Sequence, residues 1–370
     1  MEIKETLKQI TRYRHIKAWF EKYERVLLPA TLVLGVILDW ITFTNINYST
    51  SFLLLGIYTF LSGIAIVFLN AFDAGRLSFE NRFWRYVRLT TPFVIQFLFG
   101  ALLSGVFIFY IFSGTLFVSW PFLIVLVLLM VSNDVFRHYY LKPVVQISVY
   151  FFILFSCLSV FLPFALNSLS PWVFVGSGLL ALGAIFGFIA LLFRLSPSLR
   201  QEKIHMAASV LTIFVFLHGL YFLNIIPPIP LSLREVVFAH DIQKNIAGYE
   251  LQVEQEKWWD RLLPGQTFHK IPGEKIFLYT AIFAPKDLKT KIVHHWQWYD
   301  ETKGEWVSQN RLVFDLRGGR KTGFRGYSQK SNIRAGKWRI DIETERGQVI
   351  GRVRVNVVEG GAGEMLKIER

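Results

Sequence analysis

The chain has 370 residues, 53% of them hydrophobic and 16% aromatic, with a formal net charge of +13 and a single cysteine. This composition excludes an ordinary soluble enzyme core, a disulfide scaffold and an intrinsically disordered chain. The apolar excess is concentrated in residues 27–226, so the positive charge reads as membrane topology, and no nucleic-acid partner is expected.

Residues 1–25 are predicted to form a basic amphipathic helix. Ile3, Leu7, Ile10, Tyr13, Ile16, Phe20 and Tyr23 recur at helical spacing, with Lys4, Lys8, Arg12, Arg14, Lys17 and Lys22 between them. Such a helix lies on an anionic cytoplasmic leaflet or packs on the cytoplasmic loops. No cleavable signal peptide is expected, because the charged leader is long and no small-residue cleavage pattern follows it.

Residues 26–226 are predicted to be an α-helical membrane bundle of seven transmembrane helices. The runs fall near Leu27–Phe43, Ser51–Asn70, Thr91–Phe112, Leu116–Ser132, Val144–Ala165, Trp172–Phe193 and Met206–Ile226. None contains Lys or Arg, and each approaches the length of about 20 helical residues that crosses a bilayer. The fourth is short and carries Trp120-Pro121. Basic residues sit in alternate connections: Arg76, Arg82, Arg85 and Arg88, then Arg137 and Lys142, then Arg194, Arg200 and Lys203. The intervening connections have none. The N-terminus is therefore expected in the cytoplasm and the C-terminal region outside it.

Within the bundle, Gly183 and Gly187 form a GxxxG pattern that suits close helix packing within the chain or a homo-oligomer contact. The candidate intramembrane polar residues are Asp39 and His218. Asp39, beside Trp40, also suits an interfacial anchor.

After Pro227-Pro228-Ile229-Pro230 the texture changes. Residues 227–247 are expected to be a linker and 248–370 an all-β, Ig-like sandwich. Its candidate strands are Tyr249–Glu254, Glu274–Phe283, Lys291–Tyr299, Gln309–Leu316, Gly323–Ser328, Lys337–Glu345 and Gln348–Val358. A two-residue turn at Arg346-Gly347 would pair Glu345 with Gln348. Trp338, Ile340 and Ile342 then oppose Val355, Val353 and Gly351 on a dry face, and Asp341 opposes Arg352 on a charged one.

Strand periodicity also governs Ile292–Trp306, "IVHHWQWYDETKGEW". Ile292, His294, Trp296 and Trp298 share one face, and Val293, His295, Gln297 and Tyr299 the other. Adjacent histidines on opposite faces do not chelate one metal, so neither a metal nor any other cofactor is expected. Asp300–Gly304 is the predicted hairpin turn. The run Arg317–Arg339 carries eight Lys/Arg and no Asp or Glu. Arg317, Arg320, Lys321, Arg325, Tyr327, Ser328 and Lys330 suit recognition of phosphate or carboxylate. The competing reading is a solvated strand and loop whose arginines pair with Asp315, Asp341 and Glu343. Of the tryptophans, only Trp258-Trp259 is expected to be exposed as a glycan-stacking platform.

"IPPIPLSL", "FAPKDLKTKIVHHWQWYD", "GGRKTGFRGYSQKS" and "GKWRIDIETERGQVIGRVRVNV" resemble, in order and spacing, a bacterial domain of unknown function found at the C-terminus of polytopic membrane proteins. The likeness runs from about Pro227 to Val358, with Lys337 standing between the Gly and the Trp of its most specific stretch. It implies a bacterial inner-membrane protein with a periplasmic β domain, and it implies no activity or catalytic residue. No acid, base and nucleophile converge in the sequence, which points away from an enzyme. The reading that follows is an inner-membrane protein whose periplasmic sandwich binds an envelope partner: a protein, an anionic lipid headgroup or a glycan. The alternative is a transporter or channel with an accessory periplasmic domain.

Overall fold

The computed structural model describes residues 37, 39–41, 48–75, 82–113, 116–136, 139–227, 231–245, 248–255, 266–270, 273–284, 288–317, 323–361 and 365–370. The expected helix over 1–25 and most of the first apolar run lie outside them, as do Trp258-Trp259, Arg320 and Lys321.

Six α-helices occupy the N-terminal region among the described residues: α1 Tyr48–Asp73, α2 Arg82–Ser113, α3 Leu116–Val135, α4 Pro143–Ala165, α5 Pro171–Leu195 and α6 Lys203–Phe222. Prolines begin α4 and α5, where their missing N–H costs nothing and their fixed φ suits the first turn. Asn167 and Asn224, at φ 48° and 57°, end the helices that precede them in the left-handed conformation. Five stretches are long and apolar enough to cross a membrane: Thr50–Asp73, Tyr86–Ile111, Pro143–Ala165, Pro171–Leu195 and Pro197–Phe222. The fourth predicted run corresponds to a shorter apolar helix, Ser119–Val135. Helix α2 begins nine residues before the expected span, so Arg82, Arg85 and Arg88 stand on its first turns and not in a loop. Arg88 there forms a two-pronged pair with Asp73, at 2.7 and 2.8 Å.

The chain divides into two compact units, and the division does not follow the boundary between helices and strands. The first comprises residues 1–108, 124–157 and 180–214. Its interior holds Phe99, Leu102, Leu103, Phe151 and Ile185, and hydrogen bonds cross between helices. Tyr150 donates to the Thr59 carbonyl at 3.1 Å, Gln96 and Asn133 bond reciprocally to each other's carbonyls, and Ser148 donates to Ser209. In hydrocarbon such bonds tie helices together where the hydrophobic effect cannot. Gly183 and Gly187 are both exposed, and a Cβ built on either meets nothing within 4 Å. Among the described residues nothing packs against the GxxxG face.

The second unit comprises residues 109–123, 158–179 and 215–370. Its eleven described strands are β1 Ser232–Ala239, β2 Asp241–Lys244, β3 Tyr249–Glu254, β4 Gln266–Lys270, β5 Ile276–Phe283, β6 Lys289–Asp300, β7 Glu305–Arg317, β8 Phe324–Lys330, β9 Gly336–Thr344, β10 Val349–Glu359 and β11 Met365–Glu369. They form three sheets, ordered β1-β5-β8, β4-β10-β9-β6-β7 and β11-β3-β2, where an Ig-like sandwich has two. The expected linker over 227–247 is corrected by β1 and β2, which lie within it. Pairing of β1 with the distant β5 builds the strand, and no local sequence pattern announces that partner.

Alternation of side chains makes β1-β5-β8 the middle layer. Phe238, Ile276 and Leu278 point to the five-stranded sheet and meet Phe268, Trp296, Trp338 and Ile340. Ala239, Tyr279 and Ala281 point the other way, to Ile242 and Leu251 of the small sheet. Leu233 of β1 approaches β10 so closely that a Cβ at Gly351 would stand 2.0 Å from its Cδ2. A side chain at Gly351 would push the end of the Leu233 side chain aside.

The helix ends in this unit are tied to the strands. Tyr221 stacks on Phe174 at 3.8 Å, and its hydroxyl receives Arg346 from the β9–β10 turn at 2.5 Å. Leu169 packs on the cluster around Ile282, Ile292 and Ile342.

Candidate functional site: the charged face of the five-stranded sheet

Strand register arranges ionisable residues in rows on the face of this sheet turned away from the middle layer. One row runs Arg311, His295, Asp341, Arg352 across β7, β6, β9 and β10. The next runs Ser308, Gln297, Arg339, Arg354. Arg352 grips Asp341 with two hydrogen bonds, 2.6 and 2.9 Å, the fork geometry that favours arginine for carboxylates. Gln297 donates to Asp341 at 3.3 Å, and its oxygen accepts from both Nε and Nη2 of Arg339. His295 Nε2 bonds Ser308 Oγ at 2.8 Å.

Asp341 and Glu343 are each only 4% exposed, although among the described residues no other sheet stacks on this face. They are roofed by the long side chains of neighbouring strands. Burial holds the Glu343 carboxyl above its ordinary range, against the opposing charge of Arg311. Arg311 Nη2 stands 2.7 Å from Glu343 Oε1, an ion pair whose angle leaves that oxygen without a formed hydrogen bond. Burial, then the charge of Arg311, hold His295 below its ordinary value. Four arginines therefore stand with Asp341 and Glu343 on this face, and Lys289, Lys291 and Arg317 extend it along β6 and β7, where Lys291 lies opposite Asp315 and pairs with Glu345 at 3.4 Å.

His294 faces the opposite way, fully buried between the sheets. Its ring bonds Thr280 Oγ1 at 3.1 Å and Ser328 Oγ at 2.8 Å, and burial pushes its pKa down to about 3. The neighbouring histidines thus divide between faces as alternation requires. A second histidine cluster lies at the end of β1. His240 bonds Glu274 at 2.8 Å and Glu254 at 3.0 Å, and Glu254 also accepts from the ring and backbone of His269. Among the described residues no group of three or more His, Cys, Asp and Glu is arranged to hold a metal ion.

The described members of the basic run are divided between two sheets. Arg317 ends β7 on the charged face, while Arg325, Tyr327, Ser328 and Lys330 belong to β8 in the middle sheet. Tyr327 turns toward the small sheet, edge-on to Tyr249. Ser328 is corrected outright: it points to the core, is 6% exposed, and its hydroxyl bonds His294 and Trp296. A single-residue step along a strand puts Tyr327 and Ser328 on opposite faces. Lys330 donates to Asn310 and lies 5.3 Å from the Trp338 ring centroid. Arg311, Arg352 and Arg354, which lie outside the run, are the site residues that composition missed. Only the pairing of Asp341 with Arg352 pointed toward them. Asp39 is half-buried in the first unit, and His218 lies in the second with its ring edge-on to Phe174.

Among the described residues, five helices long and apolar enough to cross a membrane are followed by a β region. Residues 289–357, which span β6 to β10 and so carry the whole charged face, match the model of a family described as "Protein of unknown function (DUF2914)". No curated protein matches the chain. Among solved structures, a β-glucosidase from Listeria innocua in complex with gluconolactone is similar at 13% identity. That match covers 36% of this chain and 16% of the glucosidase, with a TM-score of 0.20. A Pseudomonas fluorescens alkylpurine DNA glycosylase, AlkC, bound to DNA containing an abasic site analog, is 11% identical over 76% of this chain and 84% of its own, with a TM-score of 0.23. Likeness at that level carries no argument about fold or activity.

Proposed function

We propose that this is a bacterial inner-membrane protein of seven crossings that holds its β domain in the periplasm and binds an anionic envelope partner on the charged face of the five-stranded sheet. The first crossing falls in the run near Leu27–Phe43, and the one-sided distribution of Lys and Arg in the connections supports the orientation. The observation that carries the binding role is the surplus of guanidinium on an open sheet face. Asp341 and Glu343 are buried and already matched by Arg352 and Arg311, which leaves the face basic toward solvent. A partner presenting carboxylate or phosphate groups complements it.

The test is binding of the full chain in neutral-lipid nanodiscs to poly-glutamate and to vesicles rich in anionic phospholipid. Replacing the exposed Lys289, Lys291 and Arg317 with Gln leaves the buried carboxylates paired, so the fold stays intact; such surface changes cost within about 0.5 kcal/mol each. The triple variant is expected to bind at least tenfold more weakly, and wild-type binding to fall as salt screens the attraction. Equal binding by the two proteins, or binding insensitive to salt, would remove the charged face from the account.

A further inference from the structure

Beside β1 lies a slot of about 430 Å3, within the range of roughly 300–1,000 Å3 typical of ligand sites. Among the described residues β1 pairs with β5 along one edge and with no strand along the other. The layers on either side continue past that edge. Val253, Leu366 and Ile368 of the small sheet form one wall, and Gln266, Phe268 and Val355 of the five-stranded sheet form the other. The residues of β1 that line the slot are Glu235, Val236, Val237 and Phe238.

The slot has the position and chemistry of one missing strand of the middle sheet. A strand edge presents N–H and C=O groups that another strand satisfies. Successive side chains of an added strand point to opposite sides, and here both sides are apolar walls. An acyl chain would fill the walls and leave the polar backbone of β1 unmatched; an extended peptide meets both. Four lining residues of β1 correspond to about 13 Å of strand at about 3.3 Å per residue. The carboxylates at the two ends are already matched: Glu235 pairs with Arg370 at 2.5 Å, and Glu254 is held by His240 and His269, so the rim selects no charge.

We propose that this slot binds an extended peptide segment of a partner protein, which adds to β1 as a fourth strand of the middle sheet. The segment carries four or five successive apolar residues. The side chains seat against Phe268 and Val355 on one wall and Val253 and Ile368 on the other. Recognition of this kind draws affinity from main-chain hydrogen bonds and selectivity from the alternate side-chain positions. The site is separate from the charged face, so loss of either leaves the other standing.

The experiment uses the full chain in nanodiscs and a fluorescent peptide of one lysine followed by five alternating valines and isoleucines, read by anisotropy. A second peptide of the same sequence, N-methylated at alternate positions, keeps the side chains and removes the donors on one edge. Gln266→Trp, paired with Val355 on the slot side, and Leu366→Arg on the opposite wall narrow the slot from positions outside the buried core. The expected results are saturable binding, at least a tenfold loss with the peptide methylated on its β1-facing edge, a similar loss in either variant, and slowed hydrogen exchange of β1 amides on binding. Equal affinity for the methylated peptides, or displacement by a dodecyl chain as readily as by peptide, would make the slot an apolar pocket and overturn strand addition. No binding, or outward β1 amides already fully protected without peptide, would overturn it as well.

Discussion

His294 and His240 show how one residue type takes opposite roles according to its neighbours. His294 is buried among apolar side chains with two hydroxyls for company, and its pKa of about 3 lies below the ordinary value of 6.5. The folded state then binds fewer protons than the unfolded one across that interval. Stability falls as pH drops from about 6.5 toward 3, by about 1.4 kcal/mol per pH unit from this group. A melt series on the full chain, followed by tryptophan fluorescence, should show a His294→Gln variant less stable at neutral pH and flatter on the acid side. An acid limb as steep as that of wild type would contradict this. For His240, burial alone would lower the pKa, but the hydrogen bonds and charges of Glu254 and Glu274 together outweigh it and raise the value. Its contribution is complete below about 6.5 and is lost as pH rises through the folded value. His240→Gln should therefore lose stability at pH 6 and less at pH 9; an equal loss at both would mean the imidazolium pairs contribute nothing. Trp338 is 2% exposed, edge-on to Trp296, and donates to the Arg334 carbonyl at 2.8 Å. Trp338→Ala should cost about 3–5 kcal/mol, and a melting shift of only a degree or two would contradict that core position.

At the scale of elements, the β9–β10 hairpin explains what was legible in the sequence. Trp338–Val355, Ile340–Val353, Ile342–Gly351 and Asp341–Arg352 pair as the hydrophobic alternation requires. The turn differs from the expected one. Thr344 bonds Gln348, which leaves three residues in the loop with Gly347 at φ 82°, and an irregularity between Val349 and Gly351 restores the register. Two one-residue differences cancel, because burial of one face specifies the register more strongly than the turn does. Gly347→Ala should lower stability by about 1 kcal/mol through its left-handed φ; no change in the melt would show the turn relaxing instead. The helices were legible from their apolar runs, as α4 and α5 show to within a few residues. The pairing of β1 with β5, the seat of Ser328 under His294 and the split of β8 from the charged face were not. Each depends on contacts between strands remote in sequence, and neither propensity nor periodicity carries them. The same hairpin carries Arg346 to Tyr221. Arg346→Ala should speed amide exchange at the C-terminal turn of α6 and leave exchange in β6 unchanged; unaltered exchange in α6 would show that the contact does not hold the helix end.

At the scale of the whole molecule, apolar helices and a basic-faced β region make sense together if the membrane separates the cytoplasmic bases from the partner's side. The central claim is that the β domain stands across the membrane from the cytoplasm, where an anionic partner reaches the charged sheet. Thr302, in the exposed turn between β6 and β7, offers a position to test it without touching that face. The only native cysteine, Cys157, lies within α4. In a Cys157→Ala background, the Thr302→Cys variant is treated in intact spheroplasts with a membrane-impermeant maleimide. The account predicts full labelling before the membrane is broken; labelling that appears only after lysis would place the β domain in the cytoplasm and contradict it.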